Sequence, residues 1–155
     1  MAEMFLQISV SLDGYIEDPN GDIEWMTSDT SLAGDTKDAS PDLIEQARLM
    51  NTLPKYVLTS GNERTGWANA HAIRADDVPG LKRKAKGPIA AFAGAGAQSL
   101  LARGMVDEIR LIQYPILLGA GTPLFADDGV RRRLTLIGSE TFESGATLQR
   151  YRFTS

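Results

Sequence analysis

A glycine-rich turn in the second half of the chain has residue types and spacing that could do chemistry. This turn, Gly94-Ala95-Gly96, follows a short apolar run and precedes a helical pattern that ends at Gly104. Glycine has no Cβ, so it allows a positive φ and a close approach of backbone to ligand. A helix that opens after such a turn offers unpaired N–H groups to an anion. The segment therefore predicts a cradle for a phosphate or a dinucleotide.

The local pattern leaves a plainer alternative open. The common dinucleotide-binding fingerprint has a third glycine where this chain has Ser99. It also has an acidic residue about 20 residues further on, where this chain has Tyr114. The turn is therefore equally compatible with a tight connection from a strand to a helix. A second glycine pair, Gly119 and Gly121, follows the next strand pattern and could line the same site.

Asp13 is the acidic residue best placed for a role in such a site. It lies in the sequence SLDG at 11–14, where the first strand pattern ends. Ligands of α/β proteins gather at the carboxyl ends of strands, although an Asp-Gly pair is also ordinary turn chemistry. Trp25 is expected in the core or in a pocket wall rather than as a specific ligand contact.

Composition excludes several classes of chemistry. The chain has no cysteine and one histidine, which excludes thiolate catalysis, disulfides and multi-histidine metal sites. It shows no Ser-His-Asp set and no phosphate-loop lysine, so hydrolysis and phosphoryl transfer have no candidate residues. A net charge of −4 argues against a general nucleic-acid or membrane binder. The basic runs at 82–86 and 131–133 are expected to be solvated. With no basic leader and no spanning apolar run, we expect a cytoplasmic protein.

Hydrophobic periodicity predicts the elements that must position these residues. Alternation at 5–10 predicts the first strand, and a helix is predicted to begin at Ser40, after a long polar loop at 27–40. Two more helices are predicted at 76–86 and 97–103. Further strands are predicted at 55–59, 70–74, 88–93 and 108–114, with a C-terminal antiparallel hairpin at 134–142 and 146–153. The order predicts one α/β domain over residues 1–155, with a mostly parallel sheet.

Four segments in order resemble the dihydrofolate reductase-like family that includes the C-terminal reductase domain of bacterial riboflavin biosynthesis proteins. They are VSLDGYIEDPNGDIEWMTS at 10–28, LPKYVLTS at 53–60, WANAHAI at 67–73 and GAQSLLARGMVDEIRLIQYPILLGAGTPLF at 96–125. The resemblance implies a dihydrofolate reductase-like three-layer sandwich. It also implies a homodimer that uses NADPH to reduce a pterin, pyrimidine or related heterocycle by hydride transfer.

The resemblance implies a role for each matching residue. The residues implied to bind the cofactor are Thr59, Ser60, Gly94, Ala95, Gly96, Ala97, Gln98, Leu118, Gly119 and Gly121. Those implied to bind the substrate are Ser11, Asp13, Gly14, Trp25, Thr27 and Ser28. Asp13 is also the residue expected to act in catalysis, by positioning or proton supply. Because the hydride chemistry belongs to the cofactor, no catalytic triad is needed.

Two departures from the family pattern keep other functions open. Nothing between Ser28 and Leu53 matches the family's glycine-arginine turn, which opens a helix under the phosphates. The usual adjacent glycine pair is separated here by Ala95, whose methyl group could hinder a phosphate. A non-catalytic nucleotide- or ligand-binding module that keeps the reductase scaffold is therefore the alternative, and a dimeric scaffold with an empty site is a third possibility.

Overall fold

A five-stranded sheet organises the part of the chain that the structure describes. The computed structural model describes residues 1–22, 25, 48, 52–58, 70–92, 96–125 and 127–154. In chain order its elements are β1 (Met4–Val10), β2 (Tyr15–Glu17), β3 (Lys55–Leu58), β4 (Ala70–Ile73), a 3-10 turn (Ala75–Asp77), α1 (Val78–Lys84), β5 (Ile89–Phe92), α2 (Gly96–Ala102), β6 (Glu108–Gln113), β7 (Thr122–Pro123), β8 (Leu134–Thr141) and β9 (Thr147–Phe153).

The central sheet has the order β5-β1-β6-β9-β8. β5 and β6 both pair with β1 in parallel, and β9 and β8 extend the sheet in antiparallel pairing. Two short pairs lie outside it, the parallel pair β3–β4 and the antiparallel pair β2–β7. The predicted α/β sheet with its C-terminal antiparallel hairpin is therefore confirmed. Among the described strands, parallel and antiparallel pairs are equal in number, so this part of the sheet is not mostly parallel as predicted.

Most predicted elements are confirmed within two residues of their expected ends. The helix predicted at 76–86 forms as the 3-10 turn followed by α1. Pro79 lies in the first turn of α1, where its missing N–H costs no intrahelical bond. The polar stretch at 27–40 lies outside the described residues, as does nearly all of the helix predicted after Ser40. Within the described ranges no helix has the length and hydropathy to cross a membrane.

One face of β1 forms the core. Met4, Leu6, Ile8 and Val10 are each at most 6% exposed, as the period-two pattern predicts. They share a buried cluster with residues of α1, α2 and β6, namely Val78, Leu100, Leu101 and Ile109. Burial of such side chains stabilises the fold by roughly 1.5–3 kcal/mol each. The core therefore fixes β1 between its parallel neighbours, and with it the position of the loop that follows β1.

Lys82 corrects one expectation for the basic run at 82–86. Its side chain is not solvated: the residue is 7% exposed, and its Nζ donates to Asp107 Oδ2 at 2.7 Å and to the Met105 carbonyl at 3.0 Å. Lys82 lies one helical turn after the buried Val78, so both face the sheet. The other basic residues of the run are exposed to solvent, as expected: Arg83, Lys84 and Lys86.

Candidate functional site

Two loops interlock at the carboxyl ends of β1 and β6. We call residues 11–14 the SLDG loop and residues 118–121 the LGAG loop. The N–H of Leu12 donates to the Ile116 carbonyl at 2.8 Å, and the N–H of Leu124 donates to the Gly14 carbonyl at 3.0 Å. Because β1 and β6 are parallel neighbours, both loops leave the sheet at the same edge, where α/β folds place their ligands.

Asp13 joins the two loops. Its Oδ1 accepts hydrogen bonds from Ser11 Oγ at 2.5 Å and from the Leu118 N–H at 3.2 Å, and its Oδ2 accepts one from the Gly119 N–H at 2.8 Å. Ser11 is fully buried, and its Oγ also accepts a hydrogen bond from the Tyr15 N–H at 3.0 Å. We call this arrangement of Ser11, Asp13, Leu118 and Gly119 the latch.

The latch lowers the pKa of the Asp13 carboxyl below its ordinary value. The hydrogen bond from Ser11 is the main cause that lowers the pKa of the Asp13 carboxyl, and the Gly119 and Leu118 N–H groups lower it further. Burial acts in the opposite direction but does not cancel them. Near neutral pH this carboxylate therefore carries no proton to give. The three donors fit the positioning role expected for Asp13, and the role in proton supply stays a prediction.

Gly121 has a packing reason to be glycine. Its φ is +145°, and a Cβ built on it would lie 2.1 Å from the Glu17 carbonyl oxygen. This close approach lets β7 pair with β2, and Thr122 Oγ1 donates to Glu17 Oε1 at 2.8 Å beside it. Gly121 thus holds the end of the LGAG loop against β2. This packing role is separate from the ligand contact that the sequence predicts for it.

Trp25 packs at the same end of the sheet. Its ring meets the ring of Tyr114 edge to face, with 5.5 Å between centroids and an interplanar angle of 88°. Tyr114 directly follows β6, is 7% exposed, and donates its N–H to the Val10 carbonyl at 2.9 Å. Trp25 and Tyr114 therefore form an aromatic wall beside the strand ends, consistent with the core or pocket-wall position expected for Trp25.

Gln98 connects α2 to this assembly. Its side-chain amide donates to the Pro123 carbonyl of β7, so the side chain bridges the helix and the segment that follows the LGAG loop. Gly96 and Ala97 lie in the first turn of α2. The expected cofactor contact of Gln98 would have to coexist with, or replace, this hydrogen bond.

The structure brings together part of the set expected from the sequence. Ser11, Asp13, Gly14, Leu118 and Gly119 are joined by hydrogen bonds, and Gly121 lies against the Glu17 backbone beside them. Trp25 lies at the same strand ends, and Gln98 is attached through Pro123. Thr27, Ser28, Thr59, Ser60, Gly94 and Ala95 lie outside the described residues.

Sequence reasoning missed two contributors to the site. Tyr114 could have been found as a large aromatic residue at a predicted strand end. The Glu17–Thr122 contact depends on the irregular pairing of β2 with β7, which no periodicity indicates.

The sequence matches a family model and a protein of known sequence. The model of the RibD C-terminal domain family matches residues 36–148. An uncharacterized protein of Bacillus subtilis, YyaP, is 29% identical over an alignment of 171 residues, which covers 92% of this chain and 90% of that protein.

Two solved structures share the fold. A putative riboflavin biosynthesis protein from Shewanella sp. PV-4 superimposes with a TM-score of 0.71 at 22% identity, over 100% of both chains. A diaminohydroxyphosphoribosylaminopyrimidine deaminase/5-amino-6-(5-phosphoribosylamino)uracil reductase from Thermotoga maritima gives a TM-score of 0.60 at 15% identity, over 99% of this chain and 57% of that one. The fold is thus the dihydrofolate reductase-like α/β fold that the resemblance implied. Since the family model matches most of the sequence, this chain belongs to the RibD C-terminal domain family.

Proposed function

We propose that this protein is an NADPH-dependent reductase that transfers hydride to a small pterin, pyrimidine or related heterocycle. The observation that carries the proposal is the latch, which fixes two loops of a reductase-like scaffold side by side at the carboxyl ends of β1 and β6. Hydride transfer depends on the relative placement of two rings. Preorganised loops at this edge of the sheet would provide that placement.

The surface around the latch fits flat, partly apolar ligands. Leu12 is 56% exposed and Leu117 is 69% exposed. The hydrogen bond from Leu12 N–H to the Ile116 carbonyl brings the two segments together. Exposed large apolar side chains beside polar backbone groups are typical of ligand-binding surfaces. A heterocyclic ring packed on these leucines would remove their apolar surface from water.

The glycines of the two loops leave room for a cofactor. Gly14 and Gly119 both have positive φ, and no atom lies within 4 Å of a Cβ built on either. The backbone is therefore open at these two positions. We assign NADPH to the LGAG loop together with the start of α2, and to Thr59, Ser60, Gly94 and Ala95 of the family motifs. When bound, NADPH would supply the hydride.

The residues of this chain would orient the ligands rather than exchange protons. Asp13 accepts hydrogen bonds from both loops, so it stabilises their relative placement. The Trp25–Tyr114 wall would give the ligands an aromatic surface at the strand ends. The substrate site is assigned to Ser11, Asp13, Gly14, Trp25, Thr27 and Ser28, on the side of the SLDG loop.

The test is NADPH oxidation by the purified protein with reducible pterins and with ribosylaminopyrimidines. We expect turnover in the wild type and a loss of at least about tenfold in kcat in Asp13→Asn, because an amide cannot accept the Gly119 N–H through its nitrogen. Asp76→Asn is the matched control, since Asp76 is an exposed carboxylate that pairs with Arg103 away from both loops.

Two results would count against the reductase. Binding of NADPH without turnover on any substrate of these classes would favour the non-catalytic module. Absence of NADPH binding would remove the cofactor assignment altogether. Homodimerisation and a cytoplasmic location are further proposals, which light scattering and cell fractionation would test.

A further inference from the structure

The sheet face opposite the core carries an arginine cluster that the reductase proposal does not use. β6 and β9 pair so that Glu108 lies opposite Arg152 and Arg110 lies opposite Arg150. Because side chains alternate along a strand, these four residues face away from the buried Ile109. We call Glu108, Arg110, Arg150 and Arg152 the arginine cluster.

A single buried carboxylate holds the cluster together. Glu108 is 5% exposed, and its Oε1 accepts hydrogen bonds from Arg110 Nε and Arg150 Nε, both at 2.9 Å. Arg152 approaches Glu108 Oε2 at 3.6 Å and forms an ion pair with Glu3 at 2.8 Å. Three guanidinium groups therefore share the Glu108 and Glu3 carboxylates, and the Asp107 carboxylate acts on Arg152 as well.

Arg110 and Arg150 also have unused donors. Each bonds Glu108 through Nε, and within the described residues their terminal NH1 and NH2 groups donate no hydrogen bond. The Arg110 guanidinium is fixed over the Phe5 ring, 3.7 Å from its centroid. The side chains of Arg110 and Arg150 are 32% and 41% exposed, so their outer ends reach solvent.

The neighbouring strands leave space beside these two arginines. Gly138 of β8 pairs with Arg150 and adds no side chain to the face. On the other side, Gln7 of β1 pairs with Arg110 and can offer an amide donor. The row from Gln7 to Gly138 therefore carries several donors, and at its β8 end the Arg150 side chain lies against Gly138, where a built Cβ would be 3.8 Å from Arg150 Cδ.

We propose that Arg110 and Arg150 form a binding site for a phosphate-class oxyanion, either free phosphate or the phosphate group of a small metabolite. A planar guanidinium presents paired N–H donors that match the spacing of phosphate oxygens, and two fixed guanidiniums need little reordering on binding. Arg110 lies four residues before Tyr114, about 13 Å along the strand. The site is thus distinct from the latch, and the inference does not depend on the reductase proposal.

The direct test is a titration of the wild type with inorganic phosphate, followed through the side-chain Nε–Hε resonances of its arginines. Sodium chloride of equal ionic strength is the reference. We expect the Arg110 and Arg150 resonances to shift and saturate with phosphate, but not with chloride. This measurement needs no variant, so it remains decisive if a substitution disturbs folding.

Single substitutions then test whether phosphate binds at Arg110 and Arg150. We expect Arg150→Gln and Arg110→Gln each to lower phosphate affinity at least tenfold, because each removes one of the two guanidinium groups. Arg131→Gln is the matched control, since Arg131 is an exposed arginine outside the cluster. Ribose 5-phosphate compared with inorganic phosphate separates the two sources: tighter binding of the ester indicates a metabolite, and equal binding indicates free phosphate.

Two results would overturn the proposal. One is that phosphate shifts the Arg110 and Arg150 resonances no more than chloride does. The other is that folded Arg150→Gln and Arg110→Gln bind phosphate as tightly as Arg131→Gln.

Discussion

At the scale of single residues, the buried Ser11 hydroxyl lowers the pKa of the Asp13 carboxyl and fixes its position. Its Oγ donates to Asp13 and accepts from the Tyr15 N–H, so it orders the SLDG loop from inside. The sequence indicated that Asp13 ends a strand. It could not indicate the partners of the carboxylate, because Leu118 and Gly119 are more than a hundred positions away.

Replacement of Ser11 by alanine should weaken the latch. Without the hydroxyl, the Tyr15 N–H loses its acceptor and the pKa of Asp13 rises toward its usual 3.8. We expect a loss of about 1–2 kcal/mol in the free energy of unfolding, measured in urea. Ser9→Ala in β1 is the control. Equal stability of the two variants would show that the Ser11 hydroxyl does not hold the loop.

Glu108 should contribute stability that depends on pH. Burial acts to raise the pKa of this carboxyl, but hydrogen bonds from Arg150 and Arg110 outweigh burial and lower it. A carboxyl whose folded-state pKa is depressed stabilises the fold above its unfolded-state value, here near 4.5. That contribution is lost as the pH falls through the lower folded-state value.

Glu108→Gln tests this contribution. It should lower the free energy of unfolding at pH 7 by about 2–3 kcal/mol, less than for a fully buried ion pair because the arginines are partly exposed. The difference from wild type should shrink as the pH falls from about 4.5 toward the folded-state pKa, and the part due to ionisation should be gone below that pKa. Urea unfolding across acid and neutral pH measures both effects, with exposed Glu140→Gln as the control. A difference that stays constant with pH would contradict the ion-pair explanation.

At the scale of elements, the sequence predicts strands well where one face is buried. β1 alternates over seven residues, and its boundaries follow from that alternation. β2 and β7 have three and two residues, too few for any period to show. The sequence also predicted wrongly that Lys82 is solvated. Which residues of α1 face the sheet depends on where the helix begins, and the sequence pattern does not define that start sharply.

The β2–β7 pair should depend on Gly121. A methyl group there would overlap the Glu17 carbonyl and would also require an unfavourable φ. We expect Gly121→Ala to cost at least about 2 kcal/mol and to lower affinity for any ligand of the LGAG loop. Gly87→Ala is the control, because a Cβ at Gly87 meets no atom within 4 Å. A Gly121→Ala protein as stable as that control would argue against the close approach to β2.

At the scale of the whole molecule, the family and the α/β class could be predicted from the sequence, because four motifs occur in the family's order. The arginine cluster could not, because it requires the register of β6 against β9. That register places charges distant in sequence next to each other, as with Glu108 and Arg150. The extent of the domain over residues 1–155 stays a prediction.

The melting temperature of the protein in increasing NADPH tests the central claim most directly. A ligand that binds only the folded state stabilises it, by about 2.7 kcal/mol at a hundredfold excess over Kd. For a chain of this size that corresponds to a rise of about 5–10 °C. We predict this rise in the wild type and in Arg150→Gln, and a smaller rise in Asp13→Asn. A melting temperature of the folded wild type that NADPH leaves unchanged would contradict the account.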